Sequence, residues 1–391
     1  MRKLFIAILA FVAVAAGIAI YFVVTTPKSS AGVRFPLTGA QRALVAQVPQ
    51  SAESFALIPT AAAFEAKLRA NPITRDAVES WEEKHSMPAR WMLGGADLLL
   101  WRDADGGTHY LVHADPLRSL FVRNQEPGAP LDAAERDAIL ALAASLPPGD
   151  AFVVQRSQSR GAFPPIARPA VTSVAVSPEA IELTSRATTT TGNLQQATTA
   201  EFPRSALLAA TFAQAPKVVD DLNRLFGTKV SPLLANGGSI AIYDVDAHKL
   251  LPRPLGVIAV PADDARRAAF QELVDRVGVA EAVGVRARTG EKEGQLLLSF
   301  DDSIDTYLKD AFEPGRWPAG RWAVRMDAQR LAPIVRQLSE SIGLRVAAPR
   351  LFRSARDLGR WIGGLERAST IEAADSDEGA YEVLKVRITA K

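Results

Sequence analysis

A stretch without one charged side chain, Leu4 to Val24, most constrains what this chain can become. Wound as an α-helix rising about 1.5 Å per residue, it spans about 31 Å, the thickness of a bilayer's hydrocarbon core. The stretch is therefore predicted to be a transmembrane helix. Arg2 and Lys3 precede it and no acidic residue does, so the positive-inside rule keeps the N-terminus in the cytoplasm and carries the remainder outside. The competing reading is a cleaved signal peptide with Ala13-Val14-Ala15 as the small-residue site. The apolar run continues past that site through Ile18, Ile20, Phe22 and Val24, which favours retention. The expected location is a bacterial inner membrane, single-pass, with the C-terminal part periplasmic.

The whole chain has 45 Lys plus Arg against 43 Asp plus Glu, and setting aside Arg2 and Lys3 leaves the exported part balanced. No basic footprint for nucleic acid or an anionic surface exists. With 48% hydrophobic and 23% charged residues the exported part is globular, and its length suits two domains or a repeat array. There is no cysteine, which removes disulfides, thiolate metal sites and a lipidated cysteine together.

Residues 25–45 hold Pro27, Ser29, Ser30, Gly32 and Pro36 and read as a tether, with a first α+β module over 46–200 and two further repeat units over 201–391. A pattern recurs three times: a proline, a short strand, a helix, a Gly-Gly pair, a strand, an acidic turn and a returning strand. The first copy runs from Pro49 through a helix at Ala61–Ala70 and Gly94-Gly95 to Leu98–Trp101 and Tyr110–Val112. The second runs from Pro203 through a helix at Pro216–Phe226 and Gly237-Gly238 to Ser239–Tyr243 and Leu255–Val260. The third runs from Pro318 through Trp322–Met326, a helix at Ala328–Ile342 and Gly363-Gly364 to Ala368–Glu372 and Tyr381–Ile388. The first two copies each carry an extension. In one, a helix at Asp132–Ser145 precedes strands at Ala151–Gln155, Val171–Val176 and Ile181–Ser185. In the other, a helix at Asp263–Val277 precedes strands at Val283–Arg288 and Gln295–Phe300, with Thr289-Gly290 as the turn. The expected fold class is α+β: a transmembrane helix followed by repeated β-α-β-β units that form mainly antiparallel sheets with helices packed on them.

Candidate chemistry is sparse. Paired aspartates fall at matching points of the three copies, Asp103/Asp105, Asp244/Asp246 and Asp375/Asp377, and alternate aspartates in a turn can offer oxygen ligands to Ca²⁺. No glutamate closes a 12-residue loop, and Asp and Gly are what hairpin turns prefer anyway, so the turn reading leads. His109 and His113 have zinc-like spacing for a helix, but the residues between them read as strand, which separates them by about 13 Å; His85 and His248 stand alone. Ser239 follows Gly237-Gly238 without a nucleophile elbow. Asp301, Asp302 and Asp305 read as the cap of a helix over Ile304–Ala311. Trp81 and Trp91 flank a polar segment, and Arg353, Arg356 and Arg360 share a helical face; core placement and a solvated face are the plainer readings. No cofactor motif is present.

Pro49-Gln50-Ser51-Ala52 and Pro203-Arg204-Ser205-Ala206 open two of the copies; Pro318-Ala319-Gly320-Arg321 departs from that form. In these openings and in its layout the chain resembles a loose group of bacterial proteins of unknown function with one N-terminal anchor and repeated strand–helix units outside the membrane. The resemblance implies no catalytic residues. The expected function is a non-catalytic, membrane-anchored binding or scaffold protein of the envelope, with the membrane engaged through residues 4–24 and a protein partner. The alternatives are a divalent-cation-dependent binder or hydrolase using the turn aspartates, and a lipid or small-ligand carrier.

Overall fold

A computed structural model describes residues 33–76, 78–79, 96–113, 126–156, 169–188, 198–213, 237–246, 253–278, 287–340 and 362–391. The anchor at 4–24, the helix at 216–226, the Gly94-Gly95 pair, His85, His248, Trp81, Trp91 and Arg345 to Arg360 lie outside these residues. Among the described residues no helix is long and apolar enough to cross a membrane. The architecture is mostly antiparallel sheet with several helices, and the chain divides between Thr190 and Thr191 into two compact units.

The first unit contains α1 (Gly39–Val45), β1 (Ala52–Ile58), α2 (Ala61–Ala70), β2 (Asp97–Asp103), β3 (Thr108–His113), α3 (Ala133–Ala143), β4 (Ala151–Gln155), β5 (Ala170–Val176) and β6 (Ala180–Thr188). Its strands follow the order β6-β5-β4-β1-β2-β3. Phe55 and Leu57 of β1, Leu99 of β2 and Phe152 of β4 are fully buried, because alternate residues of each strand face the same side. The α3 helix begins where Asp132 accepts hydrogen bonds from Ala134 N (3.1 Å) and Glu135 N (3.3 Å), satisfying two otherwise orphaned donors. Buried Asp150 ties α2 to the end of β5, accepting from Lys67 Nζ (2.6 Å) and Val176 N (2.8 Å).

The second unit contains β7 (Thr198–Pro203), β8 (Leu208–Phe212), β9 (Gly238–Asp246), β10 (Arg253–Pro261), α4 (Asp264–Gly278), β11 (Arg288–Lys292), β12 (Gln295–Ser299), α5 (Ser303–Lys309), β13 (Phe312–Ala319), β14 (Trp322–Asp327), α6 (Ala328–Glu340), α7 (Ile362–Arg367), β15 (Ala368–Glu378) and β16 (Tyr381–Ala390). The main sheet runs β11-β12-β10-β9-β8-β14-β15-β16, and β7 pairs with β13 in a separate two-stranded ribbon. One face of the sheet packs Val260, Leu296 and Leu298 against Phe270 of α4. The other packs Ala241, Val257, Ala259 and Leu297 against Ile304 and Tyr307 of α5, with Phe312 of the ribbon alongside. Burying each such Leu, Ile or Phe stabilises by about 1.5–3 kcal/mol.

Within each copy of the recurring pattern the three strands pair as an antiparallel meander: β1-β2-β3, β8-β9-β10 and β14-β15-β16. Inside each unit two meanders join through their first strands. In the first unit β1 pairs antiparallel with β4, the opening strand of β4-β5-β6; in the second, β8 pairs antiparallel with β14. The two extensions are placed differently, since β4 attaches to the first strand of its copy and β12 to the third strand, β10.

Five expectations need correction. The stretch 25–45 is not tether throughout: Val33, Leu37, Leu44 and Val45 are buried, and α1 starts on a reciprocal Thr38–Gln41 cap (both bonds 3.2 Å). Gly363-Gly364 lies inside α7, which packs on α6, rather than in a turn before the strand. Asp375 and Asp377 lie inside β15, and its turn follows at Gly379, which has φ +68°; the acidic run reads as a turn only because the partners that stabilise Asp375 are distant in sequence. Asp244 and Asp246 are likewise strand residues, at the end of β9. Thr289-Gly290 is in β11 rather than a turn, and the chain reverses at Glu293-Gly294, with φ +51° and +76°. Gly290 serves packing instead, since a Cβ there would stand 3.2 Å from Ile304 Cδ1.

Candidate functional site

Reading straight across the second unit's sheet, Ala374, Ala323, Thr211, Ser239 and Ala259 oppose one another on successive strands. This is a row of small side chains on one face. At its Ala323–Ala374 end the β7–β13 ribbon fills the space, with Phe202 and Trp317 packed there. Towards Thr211, Ser239 and Ala259 the face stays open, leaving a cleft of about 510 Å³. That size falls within the roughly 300–1,000 Å³ of small-molecule sites. Gly237 and Gly238 extend the floor. Gly237 has φ +90° and a Cβ on it would come 2.5 Å from the Phe212 carbonyl oxygen, so only glycine lets the chain enter β9 there.

The walls combine aromatic and polar groups. Half-buried Phe312 and buried Tyr307 of α5 stand on the cleft's side of the sheet, while Phe212 and Trp322 border it at the ends of β8 and β14, with Phe212 packed towards the α4 face. The Tyr307 hydroxyl donates to Gln295 Oε1 (3.1 Å) and is hydrogen-bonded to Ser239. Burial pushes this phenol above the ordinary tyrosine value and keeps it protonated. The partner of Ser239 is thus a neutral phenol, which does not serve as a base for the serine hydroxyl.

Around the opening stand Lys292, Glu293, Glu201 and Arg321. Lys292 Nζ donates to the carbonyl oxygens of Tyr307 and Asp310, 3.2 Å each, at the C-terminal end of α5, and lies 4.5 Å from the centre of the Phe312 ring. Arg321 is committed below the rim: Nε donates to Asp375 Oδ2 (2.5 Å), and another nitrogen pairs with Glu382. Asp375 Oδ1 also accepts from Arg321 N (3.0 Å) and Trp322 N (2.7 Å), which fixes the start of β14. Burial nevertheless outweighs these favourable partners and holds the Asp375 carboxyl above its ordinary value.

The paired aspartates have separate duties. Asp103 accepts from Ser51 Oγ (2.9 Å) and lies 3.0 Å from His109 Nε2, whose ring stacks on Trp101. Asp105 accepts from Gly107 N (2.9 Å), as a turn residue does, and Asp244 accepts from Val245 N (2.8 Å). Asp377 stands opposite Glu382 in the β15–β16 ladder. Among the described residues no group of three or more His, Asp or Glu side chains could hold a metal ion. His109 and His113 lie on β3, where their spacing keeps them apart. The N-cap position of α5 is Asp302, whose side chain makes no capping bond and pairs with Arg288 (2.5 Å) instead, while Asp301, one residue earlier, accepts from Ser303 N (2.6 Å).

No family model, curated protein or solved structure matches the chain. The site is therefore read from its own chemistry. Of its residues, sequence reasoning had singled out Ser239, Asp375, Trp322 and the Gly237-Gly238 pair. It missed Lys292, Glu293, Glu201, Tyr307 and Phe312, which come together only through strand register and carry no local motif.

Proposed function

We propose that this protein is a non-catalytic, membrane-anchored binding protein of the bacterial envelope, held by residues 4–24 with its two folded units outside the cytoplasm. Duplication of a β-α-β-β unit accounts for the three meanders of like pairing. The observation that carries the binding reading is the cleft of the second unit, with its floor of small side chains, aromatic walls and charges of both signs at the opening. Ser239 hydrogen-bonded to a protonated Tyr307 supports ligand contact rather than covalent chemistry.

The absence of native cysteine makes a direct test available. Leu308, exposed and adjacent to Tyr307, is replaced in the full chain (Leu308→Cys) and treated in intact spheroplasts with a membrane-impermeant maleimide photo-crosslinker. Labelling and one discrete, saturable adduct are expected. A folded but unlabelled protein contradicts the outward orientation, and labelling without an adduct contradicts the binding reading.

A further inference from the structure

Many charged groups of the second unit are paired with one another. Arg204 and Arg325 share Glu313, Arg267 holds Glu291, and Arg321 holds Asp375 and Glu382. Three at the opening differ. Among the described residues the Lys292 ammonium and the Glu201 and Glu293 carboxylates have no ion-pair partner, and all three line the same cleft. Lys292 is also held in place, because two of its three N–H groups are used on the Tyr307 and Asp310 carbonyls. The third has no hydrogen-bond acceptor among the described residues. Ordering a lysine before it meets its ligand removes much of the rotamer entropy that binding otherwise costs.

The charges discriminate among ligand classes. A simple anion would meet one cation beside two carboxylates, and a simple cation would meet the fixed ammonium. An uncharged saccharide would leave all three charges unanswered, and a lipid tail would have to displace water from them. A ligand bearing one charge of each sign answers both, and the half-buried Phe312 ring beside Lys292 offers an apolar surface for a side chain. We infer, building on the reading that this cleft binds a ligand, that it takes a short zwitterionic peptide. The peptide's terminal carboxylate lies on Lys292 and its terminal ammonium at Glu201 and Glu293.

The test uses the full chain in detergent and isothermal titration with the tripeptide alanyl-alanyl-phenylalanine, free, N-acetylated or C-amidated. The free peptide is expected to bind, each capped form at least about tenfold more weakly, which corresponds to about 1.4 kcal/mol. The loss on capping is expected to shrink as salt is raised, because these charges are near solvent. In Lys292→Met the penalty for amidation disappears while that for acetylation remains; in Glu201→Gln/Glu293→Gln the reverse holds. Lys292→Arg retains a cation for the α5 carbonyls and keeps the penalty for amidation, so a misfolded Lys292→Met leaves the question decidable. Free and capped peptides binding within about twofold of each other, or maltotriose binding as well as the free peptide, overturns the proposal. No peptide binding alongside a positive crosslink at Leu308→Cys overturns the peptide assignment and leaves the binding reading standing. Failure of both removes the binding reading itself.

Discussion

Arg321→Ala is expected to lower the stability of the second unit by about 3–5 kcal/mol at neutral pH, and acidification is expected to return part of that loss. Asp375 has a side chain only 1% exposed and Glu382 one that is 8% exposed, and both ion pairs run to the same guanidinium. Removing it leaves two carboxylates in a place where water cannot solvate them. Burial already holds the folded Asp375 pKa above its ordinary value of 3.8, against the lowering effect of the Trp322 N–H and of Arg321. A carboxyl raised in the folded state contributes stability that is complete below the ordinary value and lost as pH climbs through the raised one. Without Arg321 the folded value rises further, so the deficit of the variant is greatest at neutral pH and narrows as pH falls towards 3.8. Denaturant unfolding of the full chain at neutral pH and about pH 5 checks both parts. A deficit below about 1 kcal/mol, or one that does not change with pH, would mean that the carboxylates find other partners.

Gly256→Ala is expected to cost about 3 kcal/mol. Gly256 lies where the register between β9 and β10 shifts, with its N–H donated to Asp301 Oδ2 (3.0 Å) and its carbonyl accepting from Ser299 Oγ (2.8 Å). A Cβ here would overlap the Ala241 carbonyl oxygen and stand 3.0 Å from Ile242 Cα. These obstacles are backbone in the middle of a sheet and cannot swing aside, which places the cost at the upper end for overpacking. Gly294→Ala is the comparison. It has positive φ, +76°, and nothing within 4 Å of its Cβ, so it loses only the conformational part, about 1 kcal/mol. Equal losses at the two positions, read from thermal melts of the full chain, would locate the strain in backbone conformation rather than in contact.

Much of the strand content was legible because its signals are local. Leu98 to Trp101 and Val171 to Val176 are apolar runs between breakers, and α3 carries its own start signal in Asp132. The failures share a cause as well. Asp375 in a strand makes sense only beside Arg321, more than fifty residues earlier, and local propensity reads the acidic run as a turn. β13 contains Pro314, Gly315 and Pro318, which argue against a strand in the middle of a sheet but are tolerated in a two-stranded ribbon whose register shifts between Pro314 and Pro318. The cleft was the least legible feature. It arises from Thr211, Ser239 and Ala259 arriving side by side, and small residues leave no trace in a hydropathy pattern that would mark a space.

The way the meanders join also has a mechanical side. The ladder between β8 and β14 has five residue pairs, as many as those of β8–β9, β14–β15, β10–β12 and β11–β12. It is the seam along which the two meanders of the second unit meet. Phe212 and Trp322 face each other directly across it, and the cleft takes in both of them, with Ser239 on one bank and Arg321 on the other. The cleft thus straddles the seam between the two meanders, so a molecule touching both banks would hold the two meanders together as well as fill a space.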